Sequence, residues 1–329
     1  MATYSIIKLS NLSPLHVGTG KDSYDSSMAD LQSDTLTAAL AAMRVQHGKS
    51  SALDLFLQSI SMSSAFPYYA DHLLLPVPKG KLNISIEGES EHQFRKMLKK
   101  VRFIDKSLWC RLISGEHLTL SRNQFQGEYI FDLVPSADIQ ISKSHVSERV
   151  SVPRDLDNKT EPFYFEWKYF DNNSGLYVLT DAQGELLQEL VQLFEWLGQE
   201  GIGTDRSVGG GKFDVQGVET WTFDEPVNTD GMMLLSMYIP TEEELSMIDL
   251  DGSVYNISLR GGFIAGSQKE EFRHLRKKSV YMFDVGSVLL VNAKLQGKVV
   301  NLRPDWNDDQ LHPVYRSGRP LYIPIKVNL

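Results

Sequence analysis

Apolar side chains at Tyr4, Ile6, Ile7 and Leu9 stand on a polar alternation over residues 4–12, the pattern of a half-buried strand. A loop punctuated by Pro and Gly, SPLHVGTGK at 13–21, follows it, and a second polar loop runs to residue 30. The run LQSDTLTAALAAMR at 31–44 predicts a helix, with Ser33 or Asp34 placed to cap it. Between residues 48 and 184 the pattern is less regular. Residues 66–69 and 73–78 read as short core strands interrupted by prolines. Residues 94–111 are basic, with Phe103 and Trp109 interleaved, which suits either a solvated amphipathic helix or a single-stranded nucleic-acid surface.

Residues 145–155, a turn at Asp157-Asn158-Lys159 and the aromatic-rich run 163–170 predict a β-hairpin that projects from the body. A short strand at 175–180 leads into the clearest amphipathic helix of the chain. There Leu186, Leu187, Leu190, Val191, Phe194 and Leu197 recur at helical spacing, and Gly198 marks the end. The second half restarts the pattern. An apolar strand at 232–239 is followed by a short helix at 241–250, opened by a capping box of Thr241 and Glu244. Strand-like alternation returns at 253–263, at 277–292 with a break at Gly286, and at 312–327. Turn-forming residues at 221–231 place a boundary between domains 1–226 and 227–329. The order of elements fits an α+β chain of two ferredoxin-like (RRM-like) βαββαβ domains in tandem, with insertions and a hairpin thumb.

The stretch GIGTDRSVGGGKF, 201–213, packs five glycines, an Arg and a Lys between the amphipathic helix and the following strand. Glycine permits positive φ and close backbone approach, and free N–H groups in such a loop can form an anion-binding nest beside Arg206 and Lys212. A nucleotide P-loop needs strand, loop, then helix, with Ser or Thr after the Lys; here the order is reversed and Phe213 takes that place. A flexible surface linker is the other reading of the same glycines.

Charge sharpens this. The 329 residues carry 33 Lys and Arg against 42 Asp and Glu, a net charge of −9, so the whole-molecule field repels phosphate and any phosphate site must be local or shared with an assembly. One cysteine, Cys110, forms no internal disulfide, which fits a reducing compartment; with no signal-peptide pattern and no apolar run of membrane-spanning length, a cytoplasmic protein without membrane contact is expected. No His, Asp and Glu cluster has metal-ligand spacing, and neither metal nor cofactor is expected.

LHVGTG at 15–20, LQSDTL at 31–36, GIGTDRSVGGGKF at 201–213, KKSVYMFDVGS at 277–287 and HPVYRSGRPLYIPI at 312–325 occur together in that order. This set resembles the RAMP superfamily of CRISPR proteins, and within it the subunit that caps the crRNA 5′ handle in type III-A (Csm) effector complexes. The resemblance implies a non-catalytic RNA-binding subunit in antiviral defence, bridging the large polymerase-like subunit to the backbone RAMP subunits. It implies handle contacts at Gly201, Gly203, Arg206, Ser207, Gly209, Gly210, Gly211 and Lys212, with His16, Gly18 and Lys21 in the first loop and Arg149 and Arg154 on the hairpin, the expected thumb. Relatives often carry basic residues where this chain has Thr204-Asp205; Asp205 opposes phosphate and is read as positioning Arg206.

Two rival readings stand beside this one. A RAMP-type endoribonuclease, processing guides or cutting target RNA, would use His16 as general acid/base or Asp34 near the first helix. For Asp34 a helix cap, and for His16 a structural hydrogen bond beside Gly18 and Gly20, are the simpler roles. A pure adaptor would need the glycine loop to bind protein. A nucleophilic role for Cys110 lacks a partner His.

Overall fold

A computed structural model describes residues 1–18, 24–28, 30–88, 90–134, 139–152, 160–264, 267, 269–305 and 311–326, and it is α+β. The first strand, Ala2–Ser10, lies second in an eight-stranded sheet. The order runs Asp214–Phe223, Ala2–Ser10, Ser174–Thr180, Phe66–Tyr69, His72–Pro76, Phe103–Asp105, Tyr129–Ile130, Phe125–Gln126. The first five are antiparallel neighbours throughout.

Ile7, Leu9, Leu176 and Val178 point to one face, against Leu36 and Leu40 of helix Ser33–Gln46 and Leu190, Leu193 and Phe194 of helix Gly184–Glu200. Tyr4, Ile6, Tyr177 and Leu179 point to the other face, against Trp109, Phe66 and Phe103. Burial on both faces explains why GLYVLT at 175–180 reads as a continuous apolar run.

A second, four-stranded antiparallel sheet has the order Asp249–Val254, Val288–Leu290, Gly231–Leu234, Tyr322–Ile325. The two sheets are not independent bodies. Met233, Leu235, Val288, Ile323 and Ile325 belong to the same hydrophobic cluster as Tyr4 and Ile6, so one core crosses between them.

Several expectations are corrected. Helix Ser33–Gln46 is N-capped by Gln32 without a side-chain bond; neither Ser33 nor Asp34 caps it. Ser33 Oγ instead accepts the Met237 N–H at 2.9 Å, tying the two halves together. Gly198 lies buried inside the later helix, where a Cβ would meet Phe213 O at 2.3 Å; Gly201 is the C-cap. The basic run 94–111 is no single helix: Glu91–Leu98 and Lys106–Ile113 flank the strand Phe103–Asp105. Phe103 and Trp109 are buried, so they offer no stacking platform. Helix Leu53–Ser59 had no clear signal in the sequence.

The capping box forms as read. Thr241 Oγ1 accepts from Glu244 N at 3.2 Å, and Glu244 accepts from Thr241 N at 2.8 Å. Glu242 and Glu243 face solvent, but Glu244 is buried and accepts from the backbone N–H groups of Gln296 and Gly297. Burial pushes that carboxyl upward, and the N–H donors of Thr241, Gln296 and Gly297 outweigh it, holding Glu244 below the usual carboxylate range.

Candidate nucleic-acid interface

Helix Gly184–Glu200 ends at Gly201, whose φ of 86° only glycine adopts easily and whose N–H donates to Leu197 O at 2.7 Å. The chain then folds back on itself. Ile202 is buried and donates to Gly211 O at 2.9 Å; Thr204 N–H donates to His16 O at 3.0 Å; Gly211 N–H donates to Pro14 O at 2.9 Å. Ser13 Oγ donates to Gly209 O at 2.8 Å and accepts from Lys212 N at 2.7 Å. Gly209 N–H donates to Arg206 O and Gly210 N–H to Asp205 O.

These bonds correct the expectation of a nest. The N–H groups of Gly209, Gly210 and Gly211 are all consumed within the protein, so they form no free anion-binding row. The glycines serve close packing instead. A Cβ at Gly203 would lie 2.2 Å from His16 O, at Gly210 2.7 Å from the Trp167 ring, and at Gly211 1.8 Å from Ile202 O. Only Gly209, at φ 89°, opens onto free space. The mobile-linker reading fails for the same reason: the loop is stitched to residues 13–16 along its length.

What the loop presents is a short 3-10 turn, Arg206–Val208, exposed throughout. Val208 is 71% exposed at its tip. The side chains of Arg206 and Lys212 are exposed and make no hydrogen bond or ion pair with other described residues. Ser207 lies between them on the outside.

Beneath the loop runs the hairpin, strands Ser142–Ser151 and Glu161–Phe170, paired with Arg149 opposite Phe163 and Ser147 opposite Phe165. Arg149 forms an ion pair with Asp205 and lies 4.2 Å over the Phe165 ring and 5.3 Å from that of Trp167. Asp205 therefore positions Arg149, not Arg206. A cation fixed over aromatic faces, with Arg206 on the adjoining turn and Lys212 at the end of the loop, makes a locally positive patch on an acidic chain.

Tyr24 completes this surface. Its ring is 47% exposed, stacks on Phe165 at 5.8 Å with a 16° interplanar angle, and meets Phe163 edge-on at 6.0 Å. Nothing in the sequence singled it out, because it lies in a polar loop without periodicity; the Glu166 N–H bond to Tyr24 O at 2.9 Å and the Ser27 N–H bond to the Glu166 carboxylate at 2.6 Å tie that loop to the hairpin.

The remaining sequence candidates divide. Gly18 is exposed and bridges to Ser27. His16 is fully buried, its Nδ1 bonded to Glu166 O at 2.7 Å and its ring 4.5 Å from Phe165, so its imidazole forms the floor of the patch and does not reach the surface. Lys21, Arg154 and the hairpin tip at 157–159 lie outside the described residues.

Asp34 is fully buried. Its carboxylate accepts from Arg260 Nε at 2.9 Å and Arg260 Nη2 at 3.0 Å, and pairs with Arg316 as well. Burial pulls the Arg316 guanidinium down to about 10, so it stays charged at neutral pH beside Asp34. A carboxylate held between two guanidinium groups is a poor proton acceptor. Burial likewise pushes the Cys110 thiol up to about 11, which keeps it protonated. Among the described residues no His, Cys, Asp and Glu side chains gather as a metal site, and no helix is long and apolar enough to cross a membrane.

The chain is similar to known proteins in sequence and in fold. Residues 227–325 match the family model for the CRISPR Csm4 C-terminal domain. The Csm4 protein of Thermococcus onnurineus is 26% identical over 284 residues, covering 82% of this chain and 87% of that one. The Csm4 protein of Methanocaldococcus jannaschii is 24% identical over 217 residues, 57% of this chain and 55% of the other. In fold, the chain is similar to one in a crystal structure of a Csm1–Csm4 cassette with cA4, at TM-score 0.62, 18% identity and 99% coverage of both chains. It is similar also to one in a Csm3–Csm4 subcomplex of the type III-A interference complex, at TM-score 0.60, 17% identity, 99% of this chain and 100% of the other.

Proposed function

This chain is a RAMP-superfamily subunit of the Csm4 kind, and on that premise we propose that it is a non-catalytic, RNA-holding subunit of a type III-A effector complex. It grips the 5′ repeat-derived handle of the crRNA and bridges the large polymerase-like subunit to the backbone subunits. The observation that carries this reading is the patch of Arg206, Lys212 and Arg149 beside Tyr24 and Phe163. Exposed cations bind phosphate, and an exposed aromatic ring stacks a base, the combination that suits single-stranded RNA. The partner assignment follows from similarity in fold to chains solved with Csm1 and with Csm3.

Each sheet supports a ferredoxin-like reading. In the first, strands taken in chain order lie fourth, first, third, second: Asp214–Phe223, Ala2–Ser10, Ser174–Thr180, Phe66–Tyr69. The helices Ser33–Gln46 and Gly184–Glu200 stand after the first and third strands. The second sheet repeats that order, but among the described residues no α-helix stands between Val288–Leu290 and Tyr322–Ile325. On this reading the domains are 1–226 and 227–329. The non-catalytic role draws on the engagement of Asp34 and the burial of His16.

The test is handle-RNA affinity across a salt series. Arg206→Ala and Lys212→Ala are each expected to lower the magnitude of the salt slope by about 0.7, one phosphate contact on a single strand. Tyr24→Ala is expected to lose about 1–3 kcal/mol of affinity with the slope unchanged, since stacking releases no counterions. Parental slopes in both charge variants would overturn the assignment.

A further inference from the structure

A cavity of about 340 Å³ is lined by Phe66 and Phe103 of the eight-stranded sheet, by Arg260 of strand Ile257–Arg260, by Met237, and by the polar side chains of Asp284, Lys79 and Gln32. Its size is at the small end of the range, roughly 300–1,000 Å³, that holds small molecules or single groups of larger ones. Phe66, Phe103 and Met237 are 2%, 6% and 2% exposed, so the apolar part of the lining is fixed by the core.

The polar groups are specific and largely uncommitted. The Asp284 carboxylate accepts no hydrogen bond from a described residue, although it lies in the field of Arg260. The Gln32 Oε1 accepts from Ser64 Oγ at 2.8 Å, which leaves its amide NH₂ to donate. Lys79 stands beside the Asn256 amide. In the lining, Arg102 is held by Asp30 and by Glu128 at 3.2 Å, and Arg260 by Asp34, so both guanidinium groups are fixed in direction. Arg102 is thus neutralised by Asp30 and Glu128 and Arg260 by Asp34, which leaves Lys79 and Asp284 as the charged lining groups without an ion pair to a described residue.

We infer that this cavity binds the base of a guanine nucleotide. An ionised carboxylate only accepts, so it selects an edge rich in donors, and guanine alone among the common bases offers N1–H and the 2-amino group side by side. The Gln32 amide and the Lys79 ammonium are donors suited to O6. The base comes either from a free nucleotide or from a guanine flipped out of bound RNA. The second source rests on the RNA-holding role proposed above, and the first does not.

The experiment has two arms on the full-length chain. In one, GMP, AMP, CMP and XMP are titrated against the parent and the isosteric variant Asp284→Asn, with thermal unfolding confirming that both fold. GMP preferred by the parent, weakened by about tenfold or more in Asp284→Asn and replaced there by XMP, whose C2 carbonyl accepts from Asn, assigns the site to free nucleotide. In the other arm, each guanine of a repeat-derived RNA is replaced in turn by inosine, which lacks the 2-amino group. Loss of affinity at a single position in the parent, absent in Asp284→Asn, assigns the site to an RNA base. Equal binding of all nucleotides together with no sensitive guanine overturns the inference. A failure of the RNA-holding role itself registers separately, as parental salt slopes in Arg206→Ala and Lys212→Ala.

Discussion

Three glycines in a row have three different tasks. Gly211 combines φ 67° with a Cβ position 1.8 Å from Ile202 O, Gly210 sits against Trp167, and Gly209 has a positive φ but open space. Gly209→Ala is therefore expected to cost only the left-handed conformation, about 1–2 kcal/mol. Gly210→Val adds bulk against a buried indole and is expected to cost about 1–3 kcal/mol by overpacking. Thermal unfolding of the two variants checks the order; a Gly210→Val protein as stable as the parent would place Trp167 elsewhere. Glu244 sets a second expectation at this scale. Its folded pKa is depressed, so its stabilisation is present above about pH 4.3, the unfolded value, and is lost as pH falls through the folded value. Glu244→Gln should lower stability at neutral pH by about 2 kcal/mol and flatten the decline on the acid side. Denaturant midpoints between pH 3 and 7 measure both effects.

The loop and the hairpin act as one element. Loop 201–213 carries its own bonds, but its outward turn is held from below by Trp167 against Gly210 and by Asp205 against Arg149. Trp167→Ala is expected to cost about 3–5 kcal/mol as a large core truncation. It should also raise the hydrogen-exchange rates of the Gly209 and Gly210 amides more than those of the Ala2–Ser10 strand. Unchanged loop exchange would mean that residues 13–16 alone fix the turn. This coupling explains why the hairpin was legible and its role was not. Alternating aromatics and a Pro-bounded run give strands, whereas which aromatic faces the loop depends on a register that only pairing sets.

Across the whole molecule, Asp34 is the pin between the halves. Helix Ser33–Gln46 brings it from the N-terminal part, and strand Ile257–Arg260 and strand Tyr315–Ser317 bring the two arginines from the C-terminal part. Had it been a helix cap, Asp34→Ala would cost about 1 kcal/mol. Leaving buried guanidinium charge without its carboxylate should instead cost about 3–5 kcal/mol. Because one hydrophobic core crosses the halves, denaturation should remain a single transition. Two separated transitions in the variant would show that Asp34 joins otherwise independent domains.

The sequence by itself determined the elements whose signals are local. The alternation at 4–9, the heptad-like leucines at 186–197, the Thr241 and Glu244 capping box and the aromatic hairpin all form where local periodicity places them, because strand and helix each bury one repeating set of side chains. The glycine-dense loop was legible as a special backbone, and the chain's family resemblance was carried by such motifs in order. Tertiary structure alone decided what those residues do. Whether Asp34 caps a helix or meets Arg260 and Arg316 turns on residues more than 200 positions away. Whether Gly210 offers its N–H outward or spends it on Asp205 turns on how the loop closes over Trp167. Tyr24 joins the patch, and Asp284 the cavity, through pairings that no local pattern encodes. Short-range periodicity fixes which face a residue takes, but the partner across that face is set by the packing of distant segments.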